Sequence, residues 1–247
     1  MLSVLSNGLI NYGHFLFRYR NTLFPLVLLV LVILFPPGFI DGNANYDAWM
    51  DISGILVIIF GQIVRAAVIG LAYIKRGGVN KKIHADKLVK NGLFAHCRNP
   101  LYVGNLMILF GFLIIHNNLW VYLFGGTFFL ISYYAIVKAE ESFLYNKFGT
   151  EFNEYLANVN RWAINFSGIT KTLESMEFNW RRVIIKDYST MLTWVLTVIL
   201  LLIREYITLN GIDYSVPFIF QMSLPITFAL LLSLIVRILK KNGRLVS

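Results

Sequence analysis

Residues 92–104 read Gly92-Leu93-Phe94-Ala95-His96-Cys97-Arg98-Asn99-Pro100-Leu101-Tyr102-Val103-Gly104. The stretch follows a basic segment and opens directly into an apolar run. Pro100 suits the first position of a helix, where its missing N–H would have no partner anyway. The first-turn N–H groups of that helix would point back at whatever Arg98 and Asn99 hold. Arg98, Asn99 and Tyr102 thus form a polar set at a water–membrane boundary. A capped helix entering a bilayer beside one snorkelling arginine uses the same residue types, so the distinction lies in the rest of the chain.

The 247 residues are 57% apolar and only 14% charged, with a mean hydropathy of +0.64. That is too apolar for a soluble domain and indicates an all-α, polytopic membrane bundle. The net charge of +9 is expected first from loops held on the cytoplasmic side and second from attraction to anionic headgroups. The basic residues are scattered over several loops, which argues against nucleic acid as a partner. Cys97 is the lone cysteine, so no disulfide forms within the chain. His14, His84, His96 and His116 lie far apart in sequence, and no metal site is expected.

Outward from the quoted stretch, about six spans are expected. Residues 1–20 lack a short apolar core with a cleavage site, so no signal peptide is expected. They suggest instead an interfacial helix ending at Arg18 and Arg20. Spans follow at about 23–40, ended by Pro36-Pro37-Gly38, at about 49–74, 101–115 and 119–137, and, after an interfacial linker, at about 188–209 and 216–239. Pro225 is expected to kink the last. His116-Asn117-Asn118 joins spans three and four as an antiparallel hairpin. Leu144, Phe148, Phe152, Tyr155 and Val159 form one helical stripe after that hairpin, with Gly149 a candidate break. Arg204 and Glu205, near the end of span five, suggest a local ion pair or an interface position.

Lys and Arg are plentiful before span one, between two and three, between four and five, and after six, and absent from the other three loops. Six spans with both termini cytoplasmic fit every loop. Arg65 then lies about ten residues inside span two, three positions from Gln62 on one helical face. The basic end of the span is about 15 Å away at 1.5 Å per residue, beyond the reach of an arginine side chain. An internal polar cavity is therefore expected around Arg65. The alternation also puts Arg98, Asn99, Tyr102, Glu140, Glu141 and Arg161 at one cytoplasmic mouth. No Gly-x-Gly-x-x-Gly, Walker, Gly-x-Ser-x-Gly or His-Glu-x-x-His motif is present, so soluble cofactor folds have no support.

Taken in order, Gly61-Gln62-Ile63-Val64-Arg65, the Gly92–Gly104 stretch, Glu140-Glu141-Ser142-Phe143-Leu144, Phe148-Gly149-Thr150-Glu151-Phe152, Tyr155 and Arg161 resemble the membrane methyltransferases that include isoprenylcysteine carboxyl methyltransferase and the phospholipid methyltransferases. The resemblance covers about residues 61–161. Residues 1–60 would be an N-terminal interfacial helix and first span, and residues 162–247 an interfacial linker with two added spans. Asn99 stands where many members have histidine, Leu93 and Phe94 replace the usual proline and tyrosine, and Arg161 lacks the proline that commonly follows.

The resemblance implies S-adenosylmethionine as methyl donor, with S-adenosylhomocysteine as product, and a membrane lipid as acceptor. It implies a donor site formed by Gly92, Arg98, Asn99, Pro100, Tyr102, Gly104, Glu140 and Glu141. Arg65, Glu141 and Arg161 are the candidate catalytic residues. A phosphate or carboxylate acceptor needs only a cationic clamp, for which Arg65 and Arg161 are suited. An amine acceptor must lose a proton, with Glu141 as the base. Two arginines and a basic mouth favour an anionic lipid, and lipid A phosphate methyltransferases are one subgroup that acts this way. A bacterial inner membrane is the expected location. The rival readings are a phospholipid amine N-methyltransferase, a nicotinamide-dependent membrane reductase and a non-catalytic lipid-binding bundle.

Overall fold

The computed structural model describes residues 2–38, 44–71 and 83–245, and all their regular structure is helical. In chain order the helices are α1 (Leu2–Leu34), α2 (Ala44–Leu71), α3 (Pro100–His116), α4 (Leu119–Phe148), α5 (Thr150–Asn158), α6 (Ile169–Glu174), α7 (Trp180–Asn210) and α8 (Ile212–Lys241). A π-helical turn, Tyr122–Gly126, lies inside α4, and a 3-10 turn, Gly92–Ala95, precedes α3. Helices α1, α2, α4, α7 and α8 are long and apolar enough to cross a membrane, whereas α3 has 17 residues, about 25 Å at 1.5 Å per residue. The end of span two expected at Ile74, and Lys75, Arg76, Lys81 and Lys82, lie outside the described residues.

The N-terminal segment differs from expectation. Instead of an interfacial helix followed by a separate span, α1 is one unbroken helix that passes through Arg18, Arg20 and Pro25. The physical reason is a shared buried face. Leu16 and Phe17 before Arg20, and Phe24, Leu28 and Leu31 after it, are all buried, and α1 packs along α4. Phe24 alone meets Phe128, Phe129 and Tyr133 edge-on, with ring centroids 5.5–5.8 Å apart. Beyond Leu34, Pro36 and Pro37 remove the N–H groups that another turn needs.

Helices α2 and α3 pack through glycine. A Cβ at Gly61 would lie 2.7 Å from the Gly104 carbonyl oxygen, and one at Gly104 would lie 2.7 Å from that of Gly61. Seven residues further along each helix, Gly54 and Gly111 repeat the pairing at 2.8 and 2.7 Å. Two antiparallel glycine pairs let the backbones approach closely and bring Arg65, one turn from Gly61, beside Asn105. The tight α3–α4 turn is as expected. Asn117 takes a left-handed conformation at φ 48°, and the Asn118 side chain accepts from the Trp120 and Val121 N–H groups. The apolar stripe starting at Leu144 breaks at Gly149, φ 53°, which separates α5 from α4. Phe152 and Tyr155 are buried.

Helices α7 and α8 form a hairpin across Gly211. The last helix runs unbroken through Pro217 and Pro225, and its one buried residue is Ser215. Arg204 and Glu205 do not pair. Arg204 donates to the Thr208 hydroxyl at 3.4 Å, and the buried Glu205 offers an oxygen within 4.8 Å of those of Asp47 and Asp51.

Candidate active site

Arg65 is 2% exposed and is held on several sides. It forms an ion pair with Asp187 of α7. It also donates to Asn105 of α3 and to the Thr190 hydroxyl at 3.3 Å. Gln62 donates to the same Asp187 carboxylate at 2.8 Å and accepts from the Trp194 indole at 3.1 Å. A buried guanidinium needs such a partner, because an uncompensated charge in this environment is strongly destabilising. The arrangement joins α2 to α7, so Arg65 is engaged by the C-terminal segment.

A second network sits where α3, α4 and the segment after α5 meet. Glu141 accepts from Arg161 Nε and Nη2 at 2.9 and 2.7 Å and from Arg98 Nη2 at 3.2 Å. The hydrogen bonds and nearby charge of Glu141 raise the Arg161 pKa above its ordinary value. Arg98 Nη1 also donates to the Leu156 and Val159 carbonyls, both at 2.9 Å, closing the C-terminal end of α5 onto α3. Its Nε is buried without a hydrogen-bond partner.

The quoted stretch fastens this mouth together. Asn99 donates to the Arg161 carbonyl at 3.1 Å. His96 joins Asn165 and Thr172 at 2.7 and 2.9 Å. The Cys97 thiol faces the Arg161 and Trp162 carbonyls, and burial pushes its pKa up. Tyr155 donates to the Phe94 carbonyl at 2.7 Å, and burial pushes the pKa of its phenol up.

A third link crosses from α1. Arg20 donates to the Tyr102 hydroxyl at 2.9 Å, and that hydroxyl donates to Glu140. The Arg20 guanidinium also lies over the Phe17 and Tyr102 rings, 4.5 and 5.4 Å from their centroids.

These networks border a cavity of about 960 Å³. Arg65, Arg98, Asn99, Tyr102, Glu140 and Glu141 all line it. Gly92, Pro100, Gly104 and Arg161 are not among its lining residues. Gly92 takes φ 64° and a Cβ there would strike Met176; Pro100 opens α3; Gly104 packs on α2; Arg161 reaches Glu141 from outside. Apolar residues of α1 and α3, among them Phe24, Leu28, Ile108 and Phe112, form the deeper wall.

Sequence reasoning missed Arg20, Asn105, Asp187 and the polar residues of α7. Beside Arg18, Arg20 reads from the sequence as the end of an interfacial helix, because arginine at a span's start usually marks the water boundary. Asp187 carried a weak signal, as an acid just before an expected span in a chain that already needed a partner for Arg65.

Residues 49–151 match the model of a family described as phospholipid methyltransferase. No curated protein and no solved structure matches the chain significantly. The matched stretch runs from α2 through α3 and α4 into the start of α5, and its family is one that the quoted motifs resemble. The match covers less than half of the chain, and it accompanies five helices long and apolar enough to cross a membrane. The match begins before Gly61 and ends before Arg161, and it leaves α7 and α8 outside.

Proposed function

We propose that this chain is an S-adenosylmethionine-dependent methyltransferase acting on the headgroup of an anionic membrane lipid, at a phosphate or carboxylate oxygen. Lipid A phosphate is one candidate. The observation that carries the proposal is a single cavity with a charged mouth and an apolar inner wall. Such a cavity admits a polar donor from water and a lipid acceptor from the bilayer.

The residues present fit the donor. It is a zwitterion with a ribose and a cationic sulfur, and the mouth offers Glu140, Glu141, the unpartnered Arg98 Nε and the Tyr102 ring. In this reading Glu140 and Glu141 hold amino or ribose groups, Arg98 holds a carboxylate, and Tyr102 lies near the cationic centre. When bound, the donor supplies an electrophilic methyl group. Asn99 keeps the Arg161 segment closed over Glu141, and Gly92, Pro100 and Gly104 set the turn and the α2–α3 approach. The chain's contribution is positioning and exclusion of water.

An oxyanion acceptor needs no base. Arg20, Arg65, Lys87, Arg98 and Lys186 line the cavity against Asp86, Glu140 and Glu141, a cationic excess that suits such an acceptor. Arg65 and Arg161 are each paired with a carboxylate, so in this reading they shape the site and do not form an open clamp. The amine reading requires Glu141 to take a proton. Three guanidinium hydrogen bonds already occupy both oxygens of that carboxylate, so neither oxygen stands free for an amine. In this reading the mouth faces the cytoplasm of a bacterial inner membrane, and the charge alternation along the chain supports the cytoplasmic side.

The test is incubation of the purified full chain with methyl-labelled donor and separated lipid classes. Label in lipids with a free phosphate or carboxylate is expected. Label confined to amine headgroups would overturn the acceptor, and no label in any lipid would overturn the enzyme reading.

A further inference from the structure

Helix α7 lies outside the family match, yet it forms one wall of the cavity. Lys186, Ser189, Thr190, Thr193 and Thr197 all line it. At 100° per residue these five positions fall within an arc of roughly 100° on the helix. Of the positions between them, Asp187 pairs with Arg65, Trp194 also lines the cavity, and Met191, Leu192, Val195 and Leu196 are apolar. From Lys186 to Thr197 the stripe descends about 16 Å at 1.5 Å per residue. Gathered on the cavity side, these hydroxyls give the cavity a polar lining at that depth.

The hydrogen bonds narrow its chemistry. Thr193 donates to the Ser189 carbonyl and Thr197 to the Thr193 carbonyl, each at 2.8 Å. Thr190 accepts from Arg65. With their protons engaged by the backbone, Thr193 and Thr197 present lone pairs to the cavity. Lone pairs repel a phosphate oxygen and attract O–H donors. We infer that the α7 stripe is a specificity wall that accepts hydrogen bonds from the hydroxyls of the acceptor's glycerol or sugar headgroup. This inference rests on the lipid-acceptor reading above and adds the class of headgroup. The anionic group stays near the arginines at the mouth, while the neighbouring hydroxyls lie along α7.

The test uses the full chain in detergent and three lipids: phosphatidylglycerol, phosphatidylinositol and phosphatidic acid, the last without headgroup hydroxyls. Affinities are read by native mass spectrometry for the wild type and for the double variant Thr193→Val, Thr197→Val. Loss of two hydrogen bonds is expected to weaken phosphatidylglycerol, phosphatidylinositol or both by about tenfold. Phosphatidic acid and S-adenosylhomocysteine should stay within about twofold, the scatter expected for groups that do not touch the stripe. Which hydroxylated lipid falls distinguishes glycerol from sugar. The double variant Thr193→Ser, Thr197→Ser keeps the hydroxyls and should retain wild-type selectivity, which separates recognition from misfolding. Equal weakening of all three lipids, or of none, overturns the inference. Absence of methyl transfer by the wild type would overturn the enzyme reading instead, since the binding selectivity is measured without turnover.

Discussion

The α2–α3 pair and the α7–α8 hairpin are both built from apolar helices, but they are held in place differently. Helices α2 and α3 touch through two reciprocal glycine pairs, Gly61 with Gly104 and Gly54 with Gly111. Helix α8 buries only Ser215, whereas α7 adds Val198 and Leu201 to the shared apolar core and is also tied by polar links, Asp187 on Arg65 and Trp194 on Gln62. Lipid gives apolar helices little reason to meet one another, so specificity must come from close backbone approach or from polar links. The α2–α3 pair uses the first device, and α7 adds the second to its apolar contacts. The α2–α3 pair is thus shaped by backbone fit, and the hairpin is held by apolar contacts together with a charge, Arg65, that also borders the cavity.

The largest way to break this contrast is Asp187→Ala. It leaves Arg65 buried and unpaired, and a loss of about 3–5 kcal/mol is expected, measured by reversible unfolding in detergent micelles. Adding Arg65→Met to the same chain should recover most of that loss. A cost below about 1 kcal/mol for the single variant, the size of an exposed pair, would mean that charge does not dock α7.

Gly104→Val comes next. Its new side chain meets the Gly61 carbonyl and the Arg65 side chain, and an overpacking cost of about 1–3 kcal/mol is expected in the same assay. The smallest effect belongs to the lipid-facing surface. Leu231 on α8 is exposed, and Leu231→Ala should change stability by no more than about 0.5 kcal/mol. A larger loss would show that α8 packs on something besides α7.

Much of this organisation was legible in the residues. Apolar runs gave the helical membrane architecture, and the short His116–Asn118 link gave the α3–α4 hairpin. Arg65 was readable as buried because its depth exceeds its reach. Its partner was not, because Asp187 lies more than a hundred residues away and its pairing depends on how α7 packs. Arg20 was hidden for a similar reason. Arginine at a span's start usually marks an interface, and only the packing of α1 on α4 turns it toward Tyr102. The continuity of α1 depends on the same contact. The hydroxyls of α7 were visible as residue types, but the face they occupy becomes meaningful only beside the cavity.

The most direct test of the central claim is calorimetric titration of S-adenosylhomocysteine into the full chain in detergent, for wild type and Glu141→Gln. One-to-one binding is expected, weakened at least about tenfold when the carboxylate that joins Arg98 and Arg161 becomes an amide. No binding by the wild type, or equal binding by both, would contradict a donor site at this mouth.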